Sequence, residues 1–124
     1  DAAEAPVLIT TNFALTYYTV LGDIEKLDCY LLVADTEGLS VDSAVAGRKL
    51  NAEKVADAIR SSGIEQLVTH RTLIIPGLAA RLKGDIEDAT SWDVIVGPRD
   101  SATIPAYIKE KWAGRDHSPG WSYR

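Results

Sequence analysis

Cysteine occurs once, as Cys29, methionine not at all and phenylalanine once in the 124 residues. One thiol cannot close an internal disulfide, so a reducing, cytoplasmic setting is expected. Long apolar runs are also missing: Leu73-Ile74-Ile75 and Val94-Ile95-Val96 fall far below the roughly 20 residues of a membrane span. No basic stretch followed by an apolar one opens the chain, so no export signal is expected either. Positive charge is in deficit, with 13 basic against 18 acidic residues and a net charge of −5. The basic residues are scattered among the acids, whereas nucleic acid demands a concentrated positive face. Neither a G-x-G-x-x-G fingerprint nor a G-x-x-x-x-G-K-[ST] loop occurs, so no dinucleotide or nucleoside triphosphate is indicated. Histidine is scarce: His70 and His117 have no second metal ligand at helical or hairpin spacing and read as structural or solvated.

What remains is an ordinary globular composition, 46% apolar and 25% charged. A chain of this length buries roughly two-thirds of its unfolded surface and forms one core. Short aliphatic runs alternate with stretches of helical spacing, the rhythm of a parallel α/β sheet. The strands are expected at Val7-Leu8-Ile9-Thr10, Tyr30 to Ala34, Leu73-Ile74-Ile75 and Trp92 to Val96, with a weaker fifth at Leu67-Val68-Thr69. Several are apolar throughout, as strands covered on both faces are. The clearest helix runs from Asn51, a capping residue, to Ser62, with Val55, Ala58 and Ile59 on one face and Gly63 as its stop. Others are expected over Leu15 to Leu21, Val41 to Ala46, from Gly77 onward with Gly84 as a break point, and from Ile104 to Trp112 with Pro105 in the first turn. The fold class is thus a single doubly wound, mostly parallel α/β sheet of about five strands, Rossmann-like or flavodoxin-like, with helices on both faces. It occupies residues 1–112, and 113–124 form a C-terminal tail without periodicity.

In such sheets ligands bind beyond the carboxyl ends of the strands. The loops there are Thr10-Thr11-Asn12-Phe13, Asp35-Thr36-Glu37-Gly38-Leu39-Ser40, Pro76-Gly77 and Gly97-Pro98-Arg99-Asp100. Singly, each residue type is at home as a cap or turn. Their convergence on one edge offers neutral hydrogen-bonding groups, backbone N–H and helix starts, which suits a large polar ligand carrying a phosphate. Cys29 reads as an inert core residue. Glu25 and the Asp85-Glu87-Asp88 cluster read as a solvated face, and no acid/base pair stands out.

The run from Val7 through Thr10-Thr11-Asn12-Phe13-Ala14-Leu15-Thr16 to Val20 resembles the start of the C-terminal corrinoid-binding domain in the large subunit of the corrinoid/iron-sulfur protein. The resemblance continues through Asp35 to Val41, Ala46 to Leu50, Ile75-Pro76-Gly77, Ala80 to Gly84 and Val96 to Asp100. It covers nearly everything from Pro6 to Trp112. Two other parts of that subunit have no counterpart here. Its iron-sulfur cluster requires four cysteines, and its barrel domain some 200 residues or more. The chain is therefore expected to be one domain of a larger subunit, binding a corrinoid but no iron-sulfur cluster.

The resemblance implies a methyl carrier of the reductive acetyl-CoA pathway. In that family cobalt in its Co(I) state takes a methyl group from methyltetrahydrofolate on a methyltransferase and passes it to acetyl-CoA synthase. The implied partners are these two proteins, the barrel-shaped small subunit and a reductive activator; no nucleic acid or membrane is implied. The reacting atom belongs to the cofactor, so no residue is expected to be a catalyst or a metal ligand. The family holds its corrinoid with the benzimidazole tail off cobalt and no histidine in its place, and the D-x-H-x-x-G signature of histidine-ligated corrinoid proteins is absent here. Matching Ser40-Val41-Asp42-Ser43-Ala44 to the family's helix beneath the metal places Ser43 under cobalt. The implied contacts are Thr10, Thr11, Asn12, Phe13 and Thr16 at the macrocycle edge or tail, and Gly38, Ser40, Val41, Ser43 and Ala44 at the lower face. Pro76, Gly77, Ala80, Gly97, Pro98 and Arg99 would lie along the nucleotide tail, with Arg99 on its phosphate. The competing expectation is a flavodoxin-like interaction module without a cofactor.

Overall fold

The first strand, β1 (Val7–Thr11), is buried at every position, so both its faces are covered. The computed structural model describes residues 2–112, and the tail over 113–124 lies outside them. Within that range β1 is followed by α1 (Ala14–Ile24), β2 (Tyr30–Ala34), α2 (Val41–Ala46), α3 (Ala52–Ser62), β3 (Thr72–Ile75), α4 (Lys83–Thr90), β4 (Asp93–Val96) and α5 (Ile104–Lys111). The four strands form one parallel sheet in the order β2-β1-β3-β4.

Period-two alternation sorts the strand side chains into two layers. Val7, Ile9, Leu32, Leu73, Ile75 and Val94 pack with Val41, Val45, Val55, Ile59 and Ile86, so α2, α3 and α4 cover one face. Leu8 and Ile74 point the other way and pack with Ile24, Ile104 and Trp112, so α1 and α5 cover the opposite face. Each fully buried aliphatic side chain contributes about 1.5–3 kcal/mol of transfer free energy. Helices on both sides are the doubly wound arrangement the sequence announced.

The helix α3 forms where its signals place it: Asn51 accepts a hydrogen bond from the Lys54 N–H at 2.9 Å, and Gly63 ends it at φ 68°. Three elements differ from expectation. No strand forms at Leu67-Val68-Thr69, because Ile64–Gln66 is a 3-10 turn and the Leu67 and Val68 N–H groups are spent on the Ile64 carbonyl. The helix expected after Gly77 is two elements, a 3-10 turn over Gly77–Leu82 and then α4. Gly84 falls in the first turn of α4, where glycine costs little, so the chain changes helix type just before it and not at it. Finally, α1 runs three residues past the expected Leu21, to Ile24, and that residue anchors it in the second layer. No helix among the described residues is long and apolar enough to cross a membrane.

Candidate site at the sheet switch point

Because β1 lies between β2 and β3, the chain leaves β1 toward one face, through α1, and β3 toward the other, through the Gly77–Leu82 turn and α4. That reversal opens a crevice beyond the carboxyl ends of β1 and β3. A cleft of about 440 Å³ occupies this position, within the range of small-molecule sites. Its floor is Leu8, Ile9, Thr10, Ile74 and Ile75; Leu15, Thr16, Thr19 and Val20 of α1 form one wall. Ser40, Val41 and Asp42 enter at the start of α2, and Pro76, Leu78, Gly97, Pro98, Arg99, Asp100, Ser101 and Ile104 complete it.

Of the residues singled out from the sequence, Thr10, Thr16, Ser40, Val41, Pro76, Gly97, Pro98 and Arg99 therefore line one cleft. The Thr10 side chain is 2% exposed and its hydroxyl has no hydrogen-bond partner. Arg99 is exposed at the rim, and among the described residues its guanidinium has no ion-pair partner. The loop that carries Arg99 is held to α1 by the Ser101 hydroxyl, which donates to Asp23 Oδ2 at 2.5 Å.

The other singled-out residues lie off the cleft lining. Asn12 ties two loops together. Its Oδ1 accepts from the N–H groups of Thr36 (3.0 Å) and Gly38 (2.9 Å), while its Nδ2 donates to Asp35 Oδ1 at 3.0 Å. The Thr36 hydroxyl is shared between Asn12 Oδ1 at 3.1 Å and the Leu39 carbonyl at 2.8 Å. Glu37 and Gly38 are both left-handed, at φ 58° and 79°, and these bonds hold them there. The Glu37 N–H also donates to Asp35 Oδ1. That bond, more than the Asn12 amide, keeps the Asp35 carboxyl below its ordinary value.

Gly77 is buried because the loop after β4 occupies the space of a side chain: a Cβ would meet Gly97 O and Arg99 N at 2.9 Å. Thr11 and Ala44 are fully buried in the packing. Phe13 precedes α1 half-buried, and Ala80 is exposed on the 3-10 turn. Ser43 is exposed on α2, one residue past Asp42, and its carbonyl accepts the Gly47 N–H at 2.9 Å.

Among the described residues that line the cleft none is histidine or cysteine. His70 sits at the opposite end of the sheet, 1% exposed. Its Nδ1 accepts the Thr72 N–H at 3.1 Å, so that nitrogen carries no proton, and Nε2 bonds the Ala5 carbonyl at 2.7 Å. Cys29 is half-buried, and burial followed by the neighbouring Asp28 charge pushes its thiol up, away from the reactive thiolate. No group of three His, Cys, Asp or Glu able to hold a metal ion occurs among the described residues. The cleft can thus bind and orient; an apolar floor, hydroxyls, the Arg99 guanidinium and the carboxylates of Asp42 and Asp100 are its chemistry.

Sequence reasoning missed most of the cleft's apolar surface: Leu8, Ile74 and Ile104 below, Val20 and Leu15 on α1, and Leu78 at the rim. One signal was available. The helix α1 has no polar outer stripe, and Leu15 remains 69% exposed.

A family model described as CO dehydrogenase/acetyl-CoA synthase delta subunit matches residues 1–108. The acetyl-CoA decarbonylase/synthase complex subunit gamma of Methanothermobacter thermautotrophicus is 57% identical over 107 residues, covering 85% of this chain and 23% of that protein. The gamma subunit of Methanopyrus kandleri is 51% identical over 110 residues, 87% of this chain and 24% of its own length. That of Archaeoglobus fulgidus is 51% identical over 115 residues, 91% and 24%. The chain spans about a quarter of the length of these relatives. It belongs to the CO dehydrogenase/acetyl-CoA synthase subunit family that this model describes.

Proposed function

We propose that this chain is the corrinoid-binding module of a methyl-carrying subunit in an acetyl-CoA synthase system of the cytoplasm. The observation that carries the reading is the switch-point cleft, whose floor holds a buried hydroxyl that the protein leaves unpartnered. A buried polar group without a partner is costly in the free protein, and a ligand arriving with a hydrogen-bonding group removes that cost. When bound, the corrinoid supplies a cobalt that accepts a methyl group from methyltetrahydrofolate on its methyltransferase and yields it to acetyl-CoA synthase.

The chain's own residues position and insulate that cofactor. The cleft takes the nucleotide tail, with Pro76, Gly97 and Pro98 shaping the passage, Gly77 and the turn that carries Ala80 seating the loop after β4 behind it, and the free Arg99 guanidinium at the rim pairing with the phosphate. Thr10 and Thr16 would border the tail and the macrocycle edge with Phe13 beside them, while Thr11 and Asn12 hold the strand end and the loop that shape that edge. Gly38, Ser40, Val41, Ser43 and Ala44 set α2 beneath the ring. On that side Ser43 would offer the cofactor only a hydroxyl, a poor donor to a metal. The reducing electron comes from elsewhere in the system, since Cys29 alone cannot hold an iron-sulfur cluster. The small subunit, the methyltransferase, acetyl-CoA synthase and a reductive activator would approach the ring's open upper face.

The test is an absorption spectrum. After anaerobic mixing of the chain with cob(II)alamin and desalting, the protein is expected to stay coloured, with the spectrum of a cobalamin whose tail has left cobalt. Colourless protein that is folded by circular dichroism overturns the reading in favour of an interaction module.

A further inference from the structure

Two hydroxyls among the described residues are buried without a partner, those of Thr10 and Thr72. Only Thr10 lines the cleft. It is also the one polar side chain among the buried lining residues, set between Leu8, Ile74 and Ile104 on the α1/α5 side of the sheet. Of the other lining hydroxyls, Thr19 donates to the Leu15 carbonyl at 2.7 Å and Ser101 to Asp23, while Thr16 and Ser40 are only half-buried, so Thr10 alone is both buried and unpartnered. A slot with apolar walls and a single hydroxyl at depth fits the edge of a flat heteroaromatic ring that presents one hydrogen-bonding nitrogen. Threonine is branched at Cβ, so its methyl and hydroxyl share one wall, and a χ1 rotation exchanges them.

We infer that Thr10 is a specificity residue: its hydroxyl donates to the ring nitrogen of the base at the end of the corrinoid's nucleotide tail, the nitrogen set free when the tail leaves cobalt. The inference rests on the corrinoid reading above and adds the feature of the ligand that is read. A site built to hydrogen-bond one group discriminates strongly against ligands lacking it.

The experiment titrates cobalamin, which has the tail, and cobinamide, which lacks the phosphate, ribose and base, into wild type, Thr10→Val, Thr10→Ser and Thr72→Val, and records thermal unfolding of each unliganded protein. Thr10→Val removes a hydroxyl with no partner in the free protein, so its unfolding temperature should equal or exceed that of wild type. Its cobalamin affinity should fall about tenfold, the worth of one buried hydrogen bond, while cobinamide binding stays unchanged. Thr10→Ser should restore cobalamin affinity, and Thr72→Val should bind both ligands as wild type does. Thr10→Val binding cobalamin like wild type, losing both ligands alike, or unfolding earlier would overturn the inference alone. Wild type that binds neither ligand would overturn the corrinoid reading and this inference with it.

Discussion

Asn12, singled out from the sequence as a ligand contact, also holds the neighbouring loop in place. Its amide is exposed at a strand end, yet both its oxygen and its nitrogen are committed to the loop after β2. Asn12→Ala would strip the acceptor from two backbone N–H groups and is expected to cost about 1–2 kcal/mol in urea unfolding. The neighbouring Asp35 gives the bond a pH signature. Its folded-state carboxyl lies below the ordinary value of 3.8 because the charged form accepts the Glu37 N–H and then the Asn12 amide. A depressed carboxyl stabilises the fold above its unfolded value and loses that contribution as pH falls through the folded one. The stability difference between wild type and Asp35→Asn should therefore be flat from neutrality to about pH 5 and shrink at more acid pH; a difference independent of pH would contradict it. Gly77 carries the same lesson. It was legible as unusual, but the neighbour that needs its missing side chain is the loop after β4, and which partner approaches a glycine is a tertiary fact.

Among the elements, those with local punctuation were readable. Asn51 and Gly63 bracket α3 at both ends, and Pro105 sits in the first turn of α5. Leu67-Val68-Thr69 misled because β-prone residues followed a helix stop too closely: the turn after Gly63 takes the Leu67 and Val68 N–H groups, and the Thr69 N–H donates to the Ala3 carbonyl at 2.8 Å. The edge strand β4 needed side chains from elsewhere to blunt it. Glu87, read from sequence as part of a solvated acidic face, accepts the outward Val94 N–H at 3.0 Å and the Lys83 ammonium at 3.1 Å, and the Tyr107 hydroxyl donates to the Val96 carbonyl. The Val94 bond first, then Lys83, holds the Glu87 carboxyl below its ordinary value. Glu87→Ala is expected to raise the apparent mass in light scattering, side by side with wild type, as the freed edge recruits another strand. An unchanged mass would show that the edge is protected without Glu87.

For the whole molecule, strand order decides where a ligand can go. The alternation of short aliphatic runs with helical spacing gave the doubly wound class, and with it the edge to search. The order β2-β1-β3-β4 then places the crevice between β1 and β3, where the chain parts after the strand ends at Thr11 and Ile75. The cleft's apolar floor was not legible, because Leu8 and Ile74 meet α1 and Ile104 only in the packed fold, an outcome with no local code. On the proposed reading this cleft takes a corrinoid by its detached tail and would give cobalt no nitrogen from below. Electron paramagnetic resonance of the chain loaded with cob(II)alamin tests it most directly. A protein-bound Co(II) signal without nitrogen splitting along the axis is expected; a signal split by an axial nitrogen, or no signal that travels with the protein, would overturn the reading.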